Sequence, residues 1–175
     1  MTNDQHESAV NPNYEKSVDY KVNCAYCTAA YELRKRGYDV EAQGNGTLRM
    51  LFDPNDIEEI ESWYDAAETI HQKDIYSDAL MPNDHNNGKT HADALTKELL
   101  KHGEGARGQF IVYWEGGGGH SMVWEIENGR VVIRDCQSNS IFSMSKVISR
   151  SSEYMYIRTD NVELNPKILK AVKNK

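Results

Sequence analysis

Two runs of alternating apolar and polar residues flank Asn128-Gly129: His120-Ser-Met-Val-Trp-Glu-Ile-Glu127 before it and Arg130-Val-Val-Ile-Arg-Asp-Cys-Gln137 after it. Asn-Gly between such runs is the strongest short-range signal for a β-hairpin. A two-residue turn pairs Glu127 with Arg130, and the same register sets Met122 opposite Asp135 and His120 opposite Gln137. Opposed residues share a face of the sheet. His120, Met122, Trp124, Ile126, Val131, Ile133, Asp135 and Gln137 therefore point the same way, and the apolar members line a core. At the end away from the turn this face finishes in a His, an acid diagonal to it and a Gln. Diagonal neighbours lie about 7–8 Å apart at Cα, within reach of a His–carboxylate hydrogen bond.

The rest of the chain reads as helices first and strands after. Cys24 to Arg36 is a helix, with Asn23 as its N-cap and Gly37 as its C′ residue. Residues 38–42 form a short strand and 43–46 a loop. Ile57, Ile60, Trp63, Tyr64 and Ala67 fall at helical spacing and predict a second helix over 55–71, with Asp53-Pro54 marking its start. Residues 81–90 are a polar loop, and a third helix over 91–102 stops at Gly103. Strands are expected at 109–115, 120–126, 130–136 and 153–158, and a short helix at 165–173. Trp63 and Trp124 read as core. Tyr113 and Trp114 are adjacent on one strand, so one faces inward and the other borders a groove. His71, His85, His91 and His102 read as solvent-facing. This order is α+β, not alternating α/β. Residues 1–13 read as a disordered or linker-like lead-in, and 14–175 as a single domain.

Composition narrows the function classes. The chain has 175 residues and a net charge of −7, with a pI near 5.4. Without a basic stripe or basic–aromatic interleaving, nucleic-acid binding is not expected. No apolar run approaches the ~18–20 residues that a membrane span needs. The polar, acidic N-terminus is unlike a signal peptide, so a soluble protein is expected. Three cysteines do not make a disulfide framework, and reduced thiols are expected.

The thiols are the candidate nucleophiles. Cys24 opens the first helix, where free amides and the positive end of the helix dipole stabilise a thiolate, the reactive form of cysteine. The same amides can hold an oxyanion, with the Asn23 side chain as a further donor. Cys27 lies one turn on, further from those amides and beneath the site; Cys136 alternates to the face opposite Asp135. A thiolate, an imidazole and a carboxylate that orients the imidazole make a Cys24–His120–Asp135 triad for acyl transfer. Gly116 to Gly119 remove side-chain bulk beside His120, so a substrate backbone can approach, and Gln137 is placed to orient the ring or the oxyanion. Cys24-x-x-Cys27 has no second pair, so no metal is expected, and the chemistry needs no cofactor.

Asn23-Cys-x-x-Cys27 running into Ala30-Tyr-Glu-Leu-Arg-Lys-Arg-Gly-Tyr-Asp-Val40, then Gly105-Ala-Arg-Gly108, Gly118-Gly-His120 and Asp135-x-Gln137 together resemble the papain-fold toxin family, the Tox-PL or glutamine-deamidase toxin domain. Asn11-Pro-Asn-Tyr14 is similar to the lead-in of phage-linked members. The resemblance spans about 11–140, with a poorly matching middle from about 45 to 104. Cys136 replaces the Pro of the family's Asp-Pro-Gln element. The resemblance implies a papain-like α+β domain, an N-terminal helix carrying the Cys packed on a C-terminal antiparallel sheet carrying the His and Asp. It implies Cys24 as nucleophile, His120 and Asp135 as partners, and Asn23, Gln137 and Gly119 as oxyanion or substrate-orienting positions. It implies deamidation of a glutamine side chain in a protein substrate, a place in a polymorphic toxin or phage head-associated protein, activity in a target-cell cytoplasm, and an immunity protein as partner. A cysteine peptidase or transglutaminase uses the same triad. A binding module of a phage or toxin protein with an idle triad is the reading outside enzymes.

Overall fold

A computed structural model describes residues 1–45, 57–75 and 88–175. In chain order they form α1 (Asn3–Ser8), a 3-10 turn (Val18–Lys21), α2 (Cys24–Lys35), β1 (Val40–Ala42), α3 (Ile57–Glu61), β2 (Thr69–His71) and α4 (Gln72–Ile75). There follow α5 (Gly88–Leu100), β3 (Arg107–Trp114), β4 (Gly119–Glu127), β5 (Arg130–Asp135), β6 (Ser140–Phe142), α6 (Met144–Arg150) and β7 (Ser151–Arg158). A 3-10 turn (Pro166–Ala171) and β8 (Val172–Asn174) complete the chain. Six strands make one antiparallel sheet in the order β2-β7-β3-β4-β5-β6, and β1 pairs with β8 apart from it.

The β4–β5 hairpin has the expected register, Glu127 opposite Arg130 through Val123 opposite Arg134. Asn128 and Gly129 both take positive φ (52° and 73°), as a two-residue type I′ turn requires. The expectation of one buried face is too simple, because helices cover both. Met122, Trp124, Ile126 and Ile133 pack with Leu95 and Leu99 of α5 and with Val147 and Ile148 of α6. On the other face Ile111, Val123, Met155 and Ile157 pack under α2. Each fully buried Leu or Ile is worth about 1.5–3 kcal/mol. On that second face Glu125 is buried too: it accepts from Tyr31 Oη at 2.5 Å and pairs with Lys35 Nζ at 2.7 Å. Tyr113 packs toward the α2 side and Trp114 toward the α6 side, so neither is simply outward.

Several expected elements differ. The helix over 55–71 is present only as α3 among the described residues; Ala66 takes φ 59°, Tyr64 bridges to Leu164, and 69–71 is a strand on β7. Backbone bonds from Asn165 N to Trp63 O and from Asp65 N to Glu163 O draw this stretch to the C-terminal segment in place of a second helical turn. The C-terminal helix is the 3-10 turn with Pro166 in its first turn, followed by β8. Residues 88–90 of the expected loop belong to α5; its remainder, with His85, Gly46 and Asp53-Pro54, lies outside the described residues. His91 is buried, and His102 lies against Trp124 and Tyr156, with Nε2 3.3 Å from the Tyr156 hydroxyl. Neither faces solvent as expected.

The segment expected as a linker carries α1, closed by a capping box between Thr2 and Gln5. Its Glu7 is buried against Arg134 (2.5 Å), itself 1 % exposed and held also by Asp4 and Glu127. Among the described residues no helix is long and apolar enough to cross a membrane.

Candidate active site

The β4–β5 ladder stops at Val123 opposite Arg134, just short of His120 and Asp135. There the diagonal pair forms as the register predicts: His120 Nε2 donates to Asp135 Oδ2 at 3.0 Å. Asp135 is fixed in turn, Oδ1 accepting from the Gln137 backbone N–H (3.1 Å) and Oδ2 from the Ser138 hydroxyl (2.9 Å). The Asp135–Gln137 contact is an Asx-type turn, in which a short acid satisfies the amide two residues on.

Cys24 is the first residue of α2 and is 4 % exposed. Its thiol is hydrogen-bonded to His120. Since Nε2 is occupied by Asp135, this bond falls to Nδ1. Burial acts to lower the His120 pKa, but the bonds to Asp135 and Cys24 and their charges outweigh it and raise it to about 10. Burial likewise acts to raise Asp135, yet its bond to His120 and the imidazolium charge hold the carboxyl below its ordinary value. Cys27 and Cys136 are different. Burial pushes both thiols well up, with no cation to compensate Cys27.

Asn23 precedes α2 but does not cap it with its side chain. Its two side-chain N–H groups go to Asn11 Oδ1 (3.2 Å) and the Gln43 carbonyl (2.9 Å), and its oxygen accepts from Cys27 Sγ (3.4 Å) and Gln137 Nε2 (3.5 Å). The Asn23 side-chain donors are therefore engaged, whereas the first-turn amides of α2 carry no bond from an Asn23 cap. The Gln137 side chain sits beside Asn23. Gly119 starts β4 opposite Tyr113.

Sequence reasoning missed Asn11, which is buried and donates to the carbonyls of Tyr20 and Gln137 (2.9 Å each). It ties the lead-in, the start of α2 and the end of β5 into one network. It also missed Ser138, whose only signal was its place after an Asp-x-Gln turn.

Trp114 stacks on His120, with ring centroids 6.4 Å apart and planes 26° apart. The two rings border a pocket of about 300 Å³, to which Met122, Asp135 and Phe142 also contribute. Lys146, Val147 and Arg150 of α6 form its far wall. A second hollow of about 420 Å³ adjoins it, sharing Trp114 and Arg150 and reaching Glu115 and Gly116.

A helix-borne thiol set against a strand-borne His–Asp pair, on an antiparallel sheet, defines a papain-like α+β fold. The chain belongs to the family described as papain fold toxin 1, glutamine deamidase, whose model matches residues 22–140. The family is one of papain-fold toxins that act on amides. No match was found among curated proteins or among solved structures.

Proposed function

We propose that this protein is a cysteine-dependent protein-glutamine deamidase of toxin type, with Cys24 as nucleophile, His120 as acid and base, and Asp135 as the group that aligns the imidazole. The observation that carries this reading is the contact of His120 with Cys24 on one side and Asp135 on the other. A protonated His120 beside Cys24 is the counter-ion of a thiolate. The thiolate attacks the side-chain carboxamide carbon of glutamine, and the oxyanion that forms meets the free amides at the start of α2. The C–N bond breaks, His120 gives its proton to the departing ammonia, and a thioester to Cys24 remains. Water then loses a proton to His120 and attacks the thioester. The C–S bond breaks, the thiolate returns and glutamine has become glutamate. Asp135 holds the tautomer and stabilises the imidazolium throughout.

A toxin of this kind implies an immunity protein in the producing cell, and its association with a polymorphic toxin or phage particle belongs to the same proposal. The test is ammonia release from glutamine-containing protein or peptide, read together with intact mass. The expected result is the amide-to-acid mass gain without cleavage, lost in Cys24→Ala. Peptide fragments would point to a peptidase and amine cross-links to a transglutaminase. Equal inactivity of wild type and Cys24→Ala across a host-cell lysate would contradict an enzymatic function.

A further inference from the structure

The pocket beside His120 contains two cations that the proposed chemistry does not use. Lys146 and Arg150 lie one turn apart on α6, both exposed, and both line the space that His120, Asp135 and Trp114 border. They differ from the arginines that are built into the fold. Arg34, Arg36, Arg107, Arg134 and Arg158 each pair with a carboxylate. Lys146 and Arg150 make no ion pair among the described residues; the Lys146 ammonium instead lies over the Phe142 ring, 5.6 Å from its centroid. The inner carboxylate of the pocket, Asp135, is engaged by His120, Ser138 and the Gln137 amide. Glu115 lines only the outer hollow. In a chain of net charge −7 the inner stretch is thus a local positive field with aromatic walls.

We propose that this cleft is the subsite for an acidic residue close to the target glutamine, so that the substrate is an acidic peptide segment. The inference rests on the deamidase reading and deepens it. Cys24 itself does not line the cleft, but His120, which contacts Cys24, does, and beyond the imidazole the lining is Trp114, Phe142, Lys146 and Arg150. An extended chain advances about 3.3 Å per residue, so a chain that leaves Cys24 past His120 reaches this cleft within a few residues of the glutamine. Two single cations one turn apart suit a side-chain carboxylate, and the aromatic walls suit its aliphatic stem. Paired with opposite charge, such positions act chiefly through selectivity and encounter rate.

The experiment uses one glutamine peptide with Glu or Lys placed at neighbouring positions. Binding is read by fluorescence anisotropy on Cys24→Ala, and ammonia release on protein with Cys24 intact. Glu peptides are expected to bind about tenfold tighter than Lys peptides, a preference that weakens as salt screens the pair. The preference should vanish in K146Q/R150Q and reverse in K146E/R150E. Equal binding of the two peptide sets overturns the proposal, as does a Glu preference that survives in K146Q/R150Q shown to be folded by circular dichroism. A phosphoserine peptide bound about tenfold tighter than its Glu counterpart would overturn the carboxylate assignment. If Glu peptides bind as expected and no ammonia is released from any of them, the deamidase reading fails while the acidic subsite stands. If K146E/R150E does not fold, the glutamine variant and the salt dependence decide.

Discussion

At position 120 burial and partners pull the imidazole in opposite directions, and the partners win. The ordinary value of 6.5 becomes about 10, so His120 is protonated at neutral pH. A raised pKa in the folded state stabilises the fold fully below 6.5, and that contribution is lost as pH rises through about 10. Asp135 contributes with the opposite sign. Its folded pKa is depressed, so its stabilisation is present above 3.8 and is lost as pH falls through the depressed value. Asp135→Asn keeps the shape and removes the charge, leaving burial less opposed at His120. Its ring protons, followed by NMR, should titrate near 10 in wild type and about one unit or more lower in the variant, as expected when a close opposite charge is lost. An unchanged midpoint would mean that Asp135 does not hold the imidazolium.

The elements show which local signals suffice and which do not. The hairpin was legible because Asn128-Gly129 tolerates positive φ at both turn residues, and the turn then dictates every pairing down to Val123 opposite Arg134. From that register the contact between His120 and Asp135 follows. The start of α2 was legible too, although its Asn23 side chain serves a buried network in place of the cap. By contrast, Ile57, Ile60, Trp63, Tyr64 and Ala67 mimic helical spacing, but partners at 163–165 take over the backbone. Helix α1 is polar by composition, and its burial is set by Arg134, distant in sequence. Strand β6 and helix α6 are short and serine-rich, without a strong period. Gly105-Ala-Arg-Gly108 proves to be a packing motif. Arg107 pairs with Glu32 of α2 at 2.8 Å, and a Cβ on Gly108 would lie 1.8 Å from the Ile157 carbonyl oxygen. Gly108→Ala therefore has to push β3 and β7 apart. It should cost about 1–3 kcal/mol or more in chemical denaturation, the range for overpacking. A loss under about 0.5 kcal/mol, within the scatter of surface changes, would contradict that close approach.

On the scale of the whole molecule, the sheet is a partition. Helix α2 covers one face and brings Cys24 to the end of β4 and β5, while α5 and α6 cover the other and α6 shapes the cleft beside His120 and Trp114. The three residues of the proposed triad could be found from sequence because each carries a local cue: a helix start, a glycine run, a hairpin end. The cleft could not, because it depends on α6, which packs on α5 and β7, elements distant in sequence from one another. All three cysteines are buried, so accessibility alone does not choose among them, and the contact with His120 singles out Cys24. The most direct test of the central claim is therefore the rate of iodoacetamide alkylation at Cys24, Cys27 and Cys136, mapped by peptide mass spectrometry alongside ammonia release. The account predicts that Cys24 reacts first and that activity falls in step with its modification. Equal rates at the three thiols, or activity that survives complete alkylation of Cys24, would contradict it.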